Sequence, residues 1–265
     1  MNEAELVLTH LLNCDRLSLY LNKDINLTRD KSTLLSSILK RRILGEPVQY
    51  ILGKCEFMGL EFKVDNRALI PRPETEILVE TAIEKLKQMG LVSPKILDLG
   101  TGSGCIAVAI AKSLSRSDVW ASDISNAALQ LAEENARLNN VKIKFIQSDL
   151  FEALKLKNDK FDLIISNPPY VSTGEFHSLA KEMHFEPELA LKAGKDGLDF
   201  YRRIISCAAA YLNNNGLLIF EVGINQSVFI KDMLEKEGFD QLVLIKDYNN
   251  IERIVMAKKG MLKNG

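Results

Sequence analysis

From residue 93 onward the chain alternates between two hydrophobic periods. Compact apolar runs near 95–99, 118–123, 143–147, 161–166, 216–222, 240–246 and 252–258 read as strands. Between them, stretches near 104–115, 125–139, 197–213 and 226–237 carry apolar positions every three or four residues and read as helices. That rhythm predicts a doubly wound, mostly parallel seven-stranded sheet covered by helices on both faces. Only residues 247–251 separate the last two strands. A parallel crossover needs roughly a dozen residues, so the last strand is predicted to run antiparallel to its predecessor.

Upstream the pattern changes twice. Residues 1–48 show helical periodicity alone, with Leu6, Val7, Leu11 and Leu12 on one stripe and Leu34, Leu35, Ile38, Leu39 and Ile43 on another. Gly45 and Pro47 close the second stripe. Helices this short are unstable alone, so they are expected to pack as a small N-terminal helical bundle. Across 49–70, apolar residues from Phe57 to Val64 alternate around Gly59, which predicts a β-hairpin connector. A third segment, 71–265, opens with a helix that has Pro73 in its first turn and Glu74 and Glu76 near its positive end. Leu78, Ala82 and Leu86 form its predicted buried face, and Gly90 ends it. The tail, 258–265, is expected to be frayed.

Composition narrows the class without naming a function. Apolar residues make up 46% and charged residues 26%, the balance of a soluble globular chain. The net charge of −1 gives no basic field, so no direct nucleic acid or membrane partner is expected. Cys14, Cys55, Cys105 and Cys207 are scattered, with no CxxC pair, which argues against disulfides and structural zinc. His10, His177 and His184 are not paired at ligand spacing, so no metal is expected. The N-terminus lacks a signal pattern and no apolar run reaches the roughly 18 residues of a membrane span. A cytoplasmic enzyme is the expectation.

The candidate chemistry gathers at predicted strand ends. Gly100-Thr101-Gly102-Ser103-Gly104 forms the first strand-to-helix turn, where glycines bring bare backbone close to a ligand. The dinucleotide fingerprint is GxGxxG, whereas Cys105 stands where its third glycine would fall. Asp123 ends the second strand and can accept hydrogen bonds from ribose hydroxyls, as any nucleoside ligand requires. Asp149 and Leu150 follow the third strand, where a carboxylate and a backbone N–H can meet an adenine edge. After the fourth strand comes Asn167-Pro168-Pro169-Tyr170, two rigid prolines between a carboxamide and a phenol. Taken alone, this stretch reads equally well as a strand-ending turn. The long polar segment behind it, 171–196, is expected to act as a lid or substrate wall.

Together with the antiparallel last strand, these features resemble class I S-adenosylmethionine-dependent methyltransferases, a Rossmann-like fold. Asn-Pro-Pro-Tyr resembles the motif of enzymes that methylate planar nitrogens. There Asn167 and the Pro168 carbonyl accept the N–H bonds, Pro169 stiffens the loop and Tyr170 offers a flat face. Wider matches extend the likeness over nearly the whole chain: Arg41–Gly53, Pro71–Glu76, Asp98–Gly104, Glu186–Leu191 and Asp196–Leu198. These resemble the release-factor glutamine methyltransferase family, the HemK or PrmC type. The resemblance implies N5 methylation of the glutamine in the GGQ motif of release factors. It also implies S-adenosylmethionine bound by Gly100–Gly104, Asp123, Asp149, Leu150 and Asn167, and a bundle that helps dock the factor. Ala193-Gly194 stands where a Gly-Gly pair is common, and Leu150 where some relatives carry an aromatic. An exocyclic-amine methyltransferase of DNA or RNA is the alternative that uses the same four residues.

Overall fold

The computed structural model describes residues 2–21, 26–155 and 159–260. The bundle comprises α1 (Glu3–Leu12), α2 (Arg16–Leu21), α3 (Arg29–Ile43) and α4 (Val48–Leu52). Asn2 caps α1 in a reciprocal capping box with Glu5, satisfying two otherwise orphaned backbone donors. Val7, Leu11, Ile38 and Val48 form the bundle core, joined by Leu6, Leu35, Ile51 and Leu52. The segment expected to be purely a hairpin connector thus begins with a short helix that belongs to the bundle. Only one face of α3 is covered, because α1 and α4 both pack on that side. Leu34, Leu39 and Ile43, expected on the buried stripe, are therefore exposed, at 49%, 51% and 79%.

The hairpin itself is β1 (Lys54–Phe57) and β2 (Leu60–Lys63), closed by Met58-Gly59. Both turn residues have positive φ, 53° and 71°, the arrangement whose twist matches that of the strands it joins. Phe57 and Phe62 are buried against α5 (Pro73–Gln88) and the main sheet. Asn135 fastens the hairpin further: it accepts from the Lys63 N–H at 2.7 Å and donates to the Lys63 and Ser103 carbonyls at 3.0 and 2.9 Å.

The main sheet follows the predicted rhythm. Its first half runs β3 (Lys95–Leu99), α6 (Cys105–Ser113), β4 (Asp118–Asp123), α7 (Asn126–Leu138), β5 (Lys144–Gln147) and β6 (Phe161–Ser166). A short α8 (Thr173–Phe176) and two 3₁₀ turns (Lys181–Phe185 and Glu188–Ala190) occupy the long segment after β6. Then come α9 (Asp199–Tyr211), β7 (Leu212–Glu221), α10 (Ser227–Lys236), β8 (Phe239–Lys246) and β9 (Glu252–Lys259). Spatial order is β5-β4-β3-β6-β7-β9-β8, and only β9 is reversed, lying between β7 and β8 and antiparallel to both. Strand β7 starts four residues earlier than the pattern suggested. Its opening Asn213-Asn214-Asn215 run reads as a turn, and the register jumps there between Phe161↔Leu212 and Leu163↔Leu217. The expected fraying of the tail concerns 261–265, outside the described residues, whereas Lys258 and Lys259 end β9.

Successive strand residues face opposite sides, and each side has its own core. Ile96, Leu163, Ile165, Leu217 and Ile219 pack beneath α5 and α6, while Leu97, Ile164, Leu218 and Phe220 pack beneath α9 and α10. The chain order reverses between β3 and β6, the place where an open α/β sheet leaves a crevice outside its strand ends. No helix among the described residues is long and apolar enough to cross a membrane.

Candidate active site

That crevice is a single pocket walled by the ends of β3, β4 and β6, the loop before α5 and the second 3₁₀ turn. Gly100, Thr101, Gly102, Ser103, Asp123, Asp149, Leu150, Asn167, Pro168 and Pro169 all line it. Two sequence candidates do not. Gly104 stands behind the pocket as the N-cap of α6, where a Cβ would come within 2.9 Å of the Ala132 side chain. Tyr170 is half-buried, with its ring packed among the residues beneath α9 and around Phe176. Burial pushes its phenol up to about 12.

The glycine turn explains its own spacing. Gly100, Gly102 and Gly104 have φ of 70°, 55° and 82°, a left-handed conformation at every second residue that side chains with Cβ resist. The turn's donors are largely engaged within the protein. Gly100 and Thr101 N–H donate to the Ser122 carbonyl at 2.8 and 2.9 Å, Gly104 N–H to the Thr101 carbonyl at 2.8 Å, and Gly102 N–H to Asp123 Oδ2 at 2.9 Å. A phosphate site needs such N–H groups free and no carboxylate among them. This turn offers a smooth glycine surface beside an acid instead.

Asp123 is held by a second bond, its Oδ1 accepting from Ser125 N–H at 2.9 Å. Each carboxylate oxygen can accept twice, so capacity for ligand hydroxyls remains. Burial raises its carboxyl above the ordinary aspartate value, against the lowering effect of those backbone donors. Beneath the turn, Asp98 is fully buried and accepts from the Thr101 hydroxyl at 2.6 Å; burial pushes its carboxyl up to about 7. Asp149 is partly engaged, its Oδ2 lying 2.8 Å from Arg203 of α9. Leu150 adopts φ of 51° and lines the pocket beside Asp149.

On the opposite wall Asn167 leaves β6 with its carboxamide anchored. Its Nδ2 donates to Thr75 Oγ1 at 3.2 Å, and the Thr75 hydroxyl donates to Glu221 Oε2 at 2.6 Å. Two backbone props stiffen the loop. Gln226 Nε2 donates to the Tyr170 carbonyl at 3.0 Å, while its Oε1 accepts from Gly223 N–H at 3.0 Å. The segment expected to be a lid or wall contributes Pro187, Leu189 and Ala190 to the pocket. Glu186, buried, fixes that wall to the loop before α5 by accepting from Ile70 N–H at 3.1 Å and from Arg72.

Three residues of the site escaped sequence reasoning, Glu221, Gln226 and Phe200, while Thr75 and Leu189 were noted only within matching segments. A signal existed for one of them. Glu221 ends the apolar run Leu217-Leu218-Ile219-Phe220, and a carboxylate embedded in such a strand is buried only when partnered. Gly197 was noted only as part of a matching segment. The structure gives it a task, since a Cβ there would overlap the Tyr170 carbonyl and crowd Gln226, at a φ of 77°. Gly197→Ala is expected to destabilise the protein by about 1–3 kcal/mol and to lower kcat at the same time. Thermal melting and initial rates check this; a variant that melts with the wild type would release Gly197 from the role.

Comparison with known proteins bears on the whole chain. A family described as the PrmC N-terminal domain matches residues 1–53, and the methyltransferase small domain matches residues 73–251. The release factor glutamine methyltransferase of Thermodesulfovibrio yellowstonii is 40% identical over 261 residues, 98% of this chain and 92% of that protein. Among solved structures, ribosomal protein L11 methylase from Lactobacillus delbrueckii aligns with TM-score 0.53 and 25% identity, covering 71% of this chain and 80% of that one. A T. thermophilus 16S rRNA methyltransferase, in complex with AdoMet and guanosine, aligns with TM-score 0.57 and 21% identity over 78% of this chain and 49% of its own.

Proposed function

The chain belongs to the release factor glutamine methyltransferase family, and on that premise we propose its substrate, cofactor and working residues. It methylates the N5 side-chain amide nitrogen of the glutamine in the GGQ motif of peptide-chain release factors, with S-adenosylmethionine as donor. The observation that carries this reading is the anchoring of Asn167: with Nδ2 tied inward to Thr75, its carbonyl oxygen is the end available to an incoming N–H.

The pocket residues fit the cofactor. A Cβ built at Gly100 meets nothing within 4 Å, so this backbone fronts open space that a ligand can fill closely. Asp123 suits the ribose hydroxyls, Asp149 and the Leu150 N–H the adenine edge, and the Gly100–Ser103 surface the methionine arm. The engaged N–H groups of the turn favour a nucleoside without phosphates over a dinucleotide. When bound, S-adenosylmethionine supplies an electrophilic methyl on a sulfonium centre.

An amide nitrogen is a poor nucleophile because its lone pair is delocalised into the carbonyl. Asn167 Oδ1 and the Pro168 carbonyl each accept one N–H of the glutamine side chain, polarising the nitrogen and fixing its direction. Orientation of this kind replaces general-base catalysis, and the surplus proton leaves to water after transfer. Tyr170, whose ring packs behind the pocket, and Pro169 hold the loop in place. The bundle, taken as residues 1–48, docks the release factor through the apolar surface left open on α2 and α3, which includes Leu17, Leu21 and Ile43. The hairpin segment, 49–70, joins it to the methyltransferase domain, 71–265. The reaction belongs in the cytoplasm, where release factors act.

Methyl transfer from labelled S-adenosylmethionine to a purified release factor tests the reading. Label is expected in the factor and lost when its GGQ glutamine is replaced. Equal labelling of DNA or ribosomal RNA would shift the reading to nucleic acid, for which the net charge of −1 gives no support.

A further inference from the structure

Glu221 lies at the end of β7 with 2% of its surface exposed, and Thr75, equally buried, lies in the first turn of α5. Neither position was expected to matter to the chemistry, and Glu221 does not line the pocket. Yet the two form a chain with Asn167, from Nδ2 to the Thr75 hydroxyl and from that hydroxyl to the Glu221 carboxylate. We propose that Glu221, acting through Thr75, is a positioning residue that decides which end of the Asn167 carboxamide faces the methyl acceptor. This rests on the reading of Asn167 as the group that receives the substrate amide.

Proton counting sets the direction of the chain. An ionised carboxylate only accepts hydrogen bonds, and a hydroxyl has one proton to donate. With Glu221 ionised, the Thr75 proton is held by Glu221, and Thr75 can offer Asn167 only an acceptor. The carboxamide must then turn its NH₂ inward and its oxygen outward, ready for a substrate N–H. With Glu221 protonated, its own O–H can donate to Thr75, which frees the threonine proton for the Asn167 oxygen. The amide then reverses and presents donors to a donor. A residue without pocket contact thereby selects for substrates that arrive as primary amides or amines.

The groups around Glu221 set where this change falls. Burial pushes its carboxyl up to about 7, while the Thr75 hydroxyl, the Arg253 cation of β9 and the Asn167 amide pull it down and Glu74 of α5 pushes it up. Tyr170 faces it from the loop, and Tyr201 of α9 donates to its backbone carbonyl at 2.9 Å. Because the folded value is raised, ionisation weakens the fold: stability is full below the ordinary glutamate range and is lost as pH rises through about 7. Turnover runs the opposite way and falls as pH drops through the same range.

The test uses the full chain with a release factor as substrate, on both sides of pH 7. Thr75→Val is expected to lower kcat roughly tenfold, the worth of one hydrogen bond, with the KM for S-adenosylmethionine unchanged. Thr75→Ser keeps the hydroxyl and should restore kcat. Glu221→Gln should lower kcat, flatten its acid limb and melt above wild type on the alkaline side, where a purely structural role would make it melt lower. Wild-type kcat in Thr75→Val, or an unchanged acid limb in Glu221→Gln, overturns the proposal. An activity-free readout separates it from the substrate assignment. In protein labelled with ¹⁵N-asparagine, the Asn167 side-chain NH₂ signal should move through the titration of Glu221 and stay fixed in Glu221→Gln. A moving signal with no methylation of any release factor would sink the substrate reading and leave the relay standing.

Discussion

Asn167→Ala is expected to lower kcat by roughly 10²–10³-fold, the loss seen when one preorganised polar group is removed from a transition state, and to leave cofactor affinity nearly unchanged. The expectation follows from what the side chain does and what it does not do. Its carbonyl oxygen is proposed to orient the substrate nitrogen, while its amide end binds Thr75 within the protein. The cofactor is proposed to be held mainly on the other wall, by the glycine turn and Asp123, so removing the carboxamide should hardly touch it. Alanine is small and Asn167 only partly buried, so the fold should persist. Steady-state kinetics with a release factor, beside calorimetric titration of S-adenosylmethionine, checks both halves. Turnover close to wild type would remove Asn167 from the catalytic role.

Asp123→Ala is expected to show the reverse pattern. Hydrogen bonds to a charged group contribute about 1.5–3 kcal/mol, and the carboxylate is proposed to receive ribose hydroxyls. Cofactor binding should weaken by one to a few factors of ten, seen as a raised KM for S-adenosylmethionine, while kcat at saturation falls less. A second loss comes from inside the protein. Asp123 is the acceptor for the Gly102 and Ser125 N–H groups, so its removal also loosens the turn. Asp123→Asn separates the two contributions, since its single oxygen can serve only one of those donors well. Unaltered binding in Asp123→Ala would show that the nucleoside is held elsewhere.

Most of the sheet was legible because each strand is short, apolar and followed by a helix of clear period. The reversed last strand was legible from loop length alone. The pocket wall of strand ends could be read because strand order brings successive strand ends to one edge, so residues distant in sequence become neighbours by topology. The substrate wall was harder. Thr75 and Glu221 are 146 residues apart, and nothing local in either segment announces the other. Their pairing is made by α5 packing across β7. The exposed leucines of α3 failed for a related reason: a helical stripe reports how much apolar surface exists, but its neighbours decide how much of it is covered. Tyr170 was placed by its motif, whereas the direction of its ring was set by the packing around it.

The position of β9 has a consequence for how the enzyme is made. It follows β8 in the chain, yet it lies inside the sheet, between β7 and β8. Until it arrives, both neighbours present an unpaired inner edge, and Glu221 lacks the Arg253 cation that offsets its burial. The sheet therefore cannot close without β9. A copy cut short before Glu252 has the glycine turn and the Asn167 loop but no finished fold to hold them. Activity is thus expected only of copies that carry β9.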